Sequence, residues 1–296
     1  MMYQTYQALA TDLMPSFNEY LDEQLAKSSA QSLLTKAMQY SIDAGGKRLR
    51  PLLLLATVAT FSDLPLDHLF GVAGAIELVH TYSLIHDDLP AMDDADLRRG
   101  KQTNHRVFGE AEAILAGDGL LTLAFEWLSD ANFPTPTVMR LVNILAHAAG
   151  PAGMVAGQMN DIEANGKQLS LDELMQVNMQ KTGYLLIAAV QMGAALADVP
   201  FGKQALLEQF ATDFGIAFQI KDDLLDMTAS TAELGKPAHH DLFKDKNTYP
   251  QIAGVATART KITNLVTDAE QQLQQLPVDT TLLHSFLDYF KDEMSK

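Results

Sequence analysis

The sequence predicts an all-α fold, a bundle of about ten or more helices forming one domain over residues 1–296. Three observations predict it. Apolar residues recur at three- and four-residue spacing, as in Leu171-Leu174-Met175 and Ile262-Leu265-Val266, the period of a helix with one buried face. Ala, Leu, Met, Gln and Glu, all strong helix formers, dominate the pattern. No run of alternating β-branched residues marks a strand.

The breaks between helices fall at turn chemistry. Gly45-Gly46 precedes Lys47-Arg48-Leu49-Arg50, and Pro51 suits the first turn of the next helix. Ser62-Asp63-Leu64-Pro65 separates that helix from one expected over 66–88. Asn132 to Pro136 divides two more. Ala164-Asn165-Gly166 makes a turn ahead of Ser170, and Glu173 three residues on completes a capping-box pattern.

Composition bounds the function. Of the residues, 47% are hydrophobic and 20% charged, enough for a sizeable core. Cysteine is absent, which excludes disulfides, zinc–thiolate sites and iron–sulfur clusters and fits a reducing cytoplasm. The first residues, MMYQTYQALATDLMPSF, lack the basic start and apolar run of a signal peptide. The longest apolar stretches, 51–61 and 184–199, read as buried helices, so no membrane span is expected. Lys and Arg number 21 against 37 Asp and Glu, a net charge of −16, which argues against a nucleic-acid partner. A polyanionic substrate stays open if metal ions and local Lys and Arg reverse the field.

Two acidic clusters carry the chemistry. In His86-Asp87-Asp88-Leu89-Pro90-Ala91-Met92-Asp93-Asp94-Ala95-Asp96, five carboxylates end an apolar helix, and Arg98-Arg99-Gly100 comes directly after. Pro90 stops the helix, so the chain can return Asp93 toward Asp87. Carboxylates at a helix C-terminus oppose the helix dipole unless a cation is present, and Mg²⁺, which takes oxygen ligands, resolves the conflict. In the second cluster, Lys221-Asp222-Asp223-Leu224-Leu225-Asp226, Asp222 and Asp226 stand at i and i+4 on one helix face. A lone cluster of this kind is weak; two, each preceded by apolar helix, point to two walls of one cavity. Basic groups alternate with them: Lys47, Arg48 and Arg50 at a helix start, Arg98 and Arg99, Lys181-Thr182, and Lys236 and Lys246. Together they read as a diphosphate site.

On these residues the chain resembles the short-chain trans-isoprenyl diphosphate synthases of the bacterial farnesyl type. The stretches GGKRLRP, HTYSLIHDDLPAMDDADLRRG, FGEAEAILAGDGL, AGQMNDIEANGK, QKTG, FGIAFQIKDDLLD, LGK and KNTYP occur in the family's order over roughly positions 45 to 250. The resemblance implies the all-α isoprenoid synthase bundle around a central cavity, a cytoplasmic homodimer, and three Mg²⁺ ions with substrate bound. It assigns Asp87, Asp93 and Asp222 to magnesium, with Asp88, Asp223 and Asp226 in support. It assigns Lys47, Arg50, His80 and Arg99 to isopentenyl diphosphate, and Arg98, Lys181, Lys236 and Lys246 to the allylic diphosphate. Thr182 and Gln219 are implied near the reacting carbons.

Product length is implied by the residue upstream of the first cluster. At 100° per residue Ser83 lies about 40° from Asp87 around the helix and Tyr82 about 140°, so geometry alone does not select Tyr82. The resemblance does: an aromatic there, with Leu89-Pro90 inserted, implies a C15 product, where a smaller residue implies C20. Departures from the pattern are Lys101-Gln102-Thr103 after Gly100, Met227-Thr228-Ala229-Ser230 after Asp226, and His239-His240-Asp241. Three other classes compete. A terpene cyclase has no need of a second basic diphosphate site. A non-catalytic partner subunit is expected to lose carboxylates that are intact here. An HD-type phosphohydrolase needs further paired His and Asp, and the second cluster has no histidine nearby.

Overall fold

The computed structural model describes residues 3–228 and 247–294. Helices α1 (Tyr6–Lys27), α2 (Ser32–Ile42) and α3 (Leu49–Phe61) lead to a 3₁₀ turn (Leu66–Leu69) and α4 (Phe70–Asp87). Then come a two-residue hairpin, β1 (Leu97–Arg98) and β2 (Lys101–Gln102), and α5 (Asn104–Phe108), α6 (Glu110–Ser129), α7 (Thr135–Ala149) and α8 (Met154–Glu163). Next are α9 (Leu171–Asn178), a π turn (Met179–Gly183), α10 (Tyr184–Leu196) and α11 (Phe201–Thr228). Beyond the undescribed stretch lie α12 (Tyr249–Ala253), α13 (Val255–Gln274), α14 (Thr281–His284), a 3₁₀ turn (Ser285–Phe290) and α15 (Lys291–Met294).

The all-α expectation holds, with two local differences. The helix expected over 66–88 opens with a 3₁₀ turn and ends at Asp87. The hairpin is the one sheet among the described residues. Its turn residues Arg99 and Gly100 have φ of 54° and 77°, the left-handed pair that a two-residue reverse turn needs. Two residues per strand is below anything alternation can signal. Ser170 and Glu173 do form the capping box, with Ser170 N donating to Glu173 Oε2 at 2.8 Å.

α3, α4 and α10 are the innermost helices, apolar nearly all round, because each is covered on several sides. α10 reaches α3 closely through Gly193, where an added Cβ would stand 2.7 Å from the Leu54 carbonyl oxygen. Two stretches, Leu66–Asp87 and Thr135–Glu163, match a membrane helix in length and mean hydropathy, contrary to the expectation from the shorter apolar runs. The first is 72% buried in this core and the second 33%. A break at 150–153 divides the second into α7 and α8.

One buried ion pair ties the basic loop to this core. Arg48, in the left-handed region at φ 47°, turns inward ahead of α3. Its Nη1 donates to Glu77 Oε1 of α4 at 2.8 Å, Nη2 to the Ile42 carbonyl at 2.7 Å and Nε to Asn18 Oδ1 at 3.1 Å. Both partners are almost wholly buried. Removing one charge strands the other, at a cost of about 3–5 kcal/mol. Glu77→Gln is therefore expected to lower stability by about that amount in a urea titration. A loss below about 1 kcal/mol would mean that Arg48 reaches water in solution.

Candidate active site

A cavity of about 560 Å³ opens among α3, α4, the hairpin, α8, the π turn and α11. From α4 it takes His80, Tyr82, Ser83, His86 and Asp87, and from α11 Phe218, Gln219 and Asp222. Arg50 of α3, Arg98 and Arg99 of the hairpin, Gln158 of α8 and Lys181 and Thr182 of the π turn complete its polar lining. Met154, Val155, Met159 and Ile162 give an apolar flank on α8. Both acidic clusters and four groups of the basic set thus meet in one space.

The first cluster folds as its proline requires. Asp93 N donates to the Asp87 carbonyl at 2.9 Å, returning the chain onto the helix end. The Asp87 carboxylate lines the cavity, whereas the Asp93 side chain does not. Asp88 faces inward at 3% exposure. Arg98 grips it, Nε at 2.8 and 2.9 Å from its two oxygens and Nη2 at 2.6 Å. Burial raises the Asp88 pKa, and the bond and charge of Arg98 work against that rise. Burial likewise opposes the charge on Arg98, but Asp88 outweighs it and the Arg98 pKa is raised.

The second cluster divides in the same way. Asp222 lines the cavity, while Asp223 and Asp226 are buried outside its lining. Asp223 accepts from Gln219 Nε2 at 3.0 Å and from Tyr249 N at 2.9 Å, so it anchors the start of α12. Among the described residues no group of three His, Cys, Asp or Glu side chains stands at metal-binding distance. Asp87 and Asp222 nonetheless fit Mg²⁺, which typically uses one or two carboxylates and takes water or substrate phosphate for the rest.

The basic wall is also redistributed. Arg50 is half-buried, its Nε is enclosed without a protein hydrogen bond, and desolvation lowers its pKa to about 10. His80 is pushed well below the usual histidine range, first by burial and then by Arg50 and Arg99. Arg99 is lowered by burial and reaches the Gly45 carbonyl. Arg48, read from sequence as part of this wall, belongs to the core pair instead. Lys47 lies outside the cavity lining, with Nζ 2.9 Å from Tyr289 Oη and 4.6 Å from that ring's centre. Lys236, Lys246, His239 and His240 lie outside the described residues.

Sequence reasoning missed two residues, Gln158 beside Asp87 and Asp161 beside Lys181. Gln158 Nε2 donates to Asp87 Oδ1 at 2.5 Å. Lys181 Nζ stands 2.6 Å from Asp161 Oδ2 and 3.8 Å from Asp87 Oδ1. Gln158 and Asp161 belong to the AGQMNDIEANGK stretch, and an Asp three residues after a Gln on one helix face was the available signal. Gly157 makes their place possible: a Cβ there would come 2.2 Å from Lys181 N, so α8 rests directly on the π-turn backbone.

The comparisons with known proteins identify the family. The family model described as polyprenyl synthetase matches residues 31–278. The chain belongs to the polyprenyl synthetase family. It is 47% identical over 266 residues to a farnesyl diphosphate synthase of Geobacillus stearothermophilus, covering 89% of each chain. It is 46% identical to that of Escherichia coli K12, covering 86% of this chain and 88% of the other. A crystal structure of a Helicobacter pylori geranyltransferase, complexed with magnesium and isoprenyl diphosphate, superposes with a TM-score of 0.85 at 31% identity, covering 100% of this chain and 99% of that one.

His80 gives this polyprenyl synthetase a measurable pH response. Its native pKa lies well below its ordinary 6.5, so below that pH the unfolded chain binds a proton that the native state refuses. Stability is then full above pH 6.5 and lost as the pH falls. From pH 7 to 5.5 the wild type is expected to lose more stability than His80→Asn in urea unfolding, on the order of 1 kcal/mol. Equal losses would show that His80 protonates freely in the native protein.

Proposed function

We propose that the chain condenses isopentenyl diphosphate with dimethylallyl and then geranyl diphosphate, releasing (2E,6E)-farnesyl diphosphate and diphosphate. One observation carries the reading: Asp87 and Asp222 share a cavity with Arg50, His80, Arg98, Arg99 and Lys181. Carboxylates for Mg²⁺ and cations for two diphosphates are therefore within one pocket that also has an apolar flank.

In this reading Asp87, Asp93 and Asp222 hold three Mg²⁺ ions with substrate bound, and Asp88 and Asp226 support the two clusters from their buried places. The bound metal supplies Lewis acidity to the departing diphosphate. Arg98 and Lys181 take charge from the allylic diphosphate as its C–O bond lengthens, preorganised by Asp88 and Asp161. Arg50, His80 and Arg99 hold isopentenyl diphosphate in register, with Lys47 at the rim. Neutral His80 serves as a hydrogen-bonding group, and Arg50 has an Nε with no protein acceptor. Phe218, Met154 and Met159 exclude water from the allylic cation, and Thr182 and Gln219 face the same space. The new C–C bond leaves a cation that loses its proton to the freed diphosphate.

Tyr82 is 7% exposed, lines the cavity and supports C15 over C20, with Ser83 beside it. The proposal extends to a cytoplasmic homodimer built of one polyprenyl synthetase domain per chain. Ile114 and Leu115 on α6 and Met139 on α7, 43 to 61% exposed, support the second copy.

Purified protein with Mg²⁺, isopentenyl diphosphate and dimethylallyl or geranyl diphosphate is expected to give chelator-sensitive C15, sized by mass spectrometry after dephosphorylation. Asp87→Asn and Asp222→Asn are each expected to cut kcat/KM by roughly 10²-fold or more, about 3 kcal/mol of transition-state stabilisation. Wild-type activity that survives chelation would overturn the metal assignment. A mainly C20 product would keep the reaction and reject Tyr82 as the stop.

A further inference from the structure

The cavity wall contains a residue that the proposed function does not use. His86 sits one turn after Tyr82 on α4, and both line the cavity. The two rings meet edge-on, with centres 5.6 Å apart and planes at 82°. Edge contact of this kind fixes the phenol by packing and by the attraction of a ring edge for a ring face. The imidazole is itself held from the far side. Its Nε2 lies 3.0 Å from the Ile114 carbonyl of α6 and 3.8 Å from Asp118 Oδ1.

The room for this ring exists because residue 117 is a glycine. A Cβ at Gly117 would stand 2.2 Å from His86 Nε2, 2.5 Å from Cδ2 and 3.0 Å from Cε1. Three ring atoms inside normal contact distance cannot be relieved by a small tilt. An alanine there displaces the imidazole from its seat on α6.

We infer that His86, seated against Gly117 and the Ile114 carbonyl, is a positioning residue for Tyr82 and so helps to set the length of the isoprenoid product. The inference rests on the prenyl-transfer reading and on Tyr82 as the stop. A lone tyrosine can turn about χ1 and χ2 when a growing chain presses on it; one braced by a ring that is pinned to the next helix cannot. The geometry makes demands of two substitutions. His86→Ala removes the brace and deepens the cavity. Gly117→Ala unseats the brace, and alanine is also the better helix former.

The test sizes the products of wild type, Tyr82→Ala, His86→Ala, His86→Gln and Gly117→Ala from isopentenyl and geranyl diphosphates with Mg²⁺, and from dimethylallyl diphosphate in parallel. The readout is the product ratio, which does not depend on how much active enzyme remains. His86→Ala is expected to raise the C20 to C15 ratio at least five-fold. His86→Gln, whose amide can donate to the Ile114 carbonyl, is expected to return most of the C15. Gly117→Ala is expected to change the product ratio as well. Should His86→Ala fail to fold, the Gly117→Ala ratio decides alone. If Tyr82→Ala lengthens the product while neither neighbour changes it, the bracing is overturned and prenyl transfer stands. If Tyr82→Ala changes nothing, the stop and its brace fall together. A wild type that elongates neither starter overturns the reaction and this inference with it.

Discussion

The burial of Arg48 against Glu77 is the constraint on which the site depends. Four consecutive positions, Lys47 to Arg50, carry three cations, and a surface loop would splay all three into water. Turning Arg48 into the core fixes where its neighbours go. With α3 starting at Leu49 under that constraint, Arg50 lies on the cavity wall and Lys47 is left at the rim against Tyr289. The left-handed backbone at Arg48 is the conformational cost of this separation, about 1 kcal/mol for a non-glycine residue. Three bonds donated by the guanidinium, one of them to a buried carboxylate, offset it.

This anchoring gives a cavity whose positive wall is held in place ahead of any ligand. Partial desolvation lowers the pKa values of Arg50, His80 and, although it remains exposed, Arg99, because burial penalises the charged form. Arg98 moves the other way because Asp88 was buried with it. The wall therefore has two parts. Arg98 is held in place and kept charged by a fixed partner, Asp88. Arg50 has burial without a protein partner for its Nε, so an anion arriving there recovers hydration that folding removed. A doubly charged phosphate group is suited to that place, since the Arg50 Nε has already given up its water.

Most of the helical architecture could be read from the sequence, because apolar spacing, Pro51 and the Ser170–Glu173 box each act locally. The site was legible at the level of motifs: both acidic clusters and four of the eight basic residues do meet. Which carboxylate of each cluster faces the cavity was not legible, because one turn of helix decides it. Asp87 and Asp222 face inward to the cavity while Asp88, Asp223 and Asp226 are spent on the fold, and the same letters serve both uses. Arg48 and Arg50 differ for the same reason. The hairpin at 97–102 was invisible because its strands are two residues long, and its left-handed turn is built on an arginine.

Gln158 and Asp161 were illegible for a different reason: their role is created by a backbone irregularity. In a regular α-helix through Met179–Gly183 each residue would advance by 100°, and Lys181 and Thr182 would diverge around the axis. The π turn widens that segment, and such turns are frequent at functional sites. It also spreads the backbone that α8 must approach, which Gly157 alone permits by lacking a Cβ. With α8 that close, Asp161 holds Lys181 at 2.6 Å, and Lys181 in turn stands 3.8 Å from the carboxylate that Gln158 already engages. Lys181, alone a flexible point charge, thereby loses most of its rotamer freedom before a substrate arrives. The entropy is spent on folding, so the same ammonium can meet a departing diphosphate without being reordered.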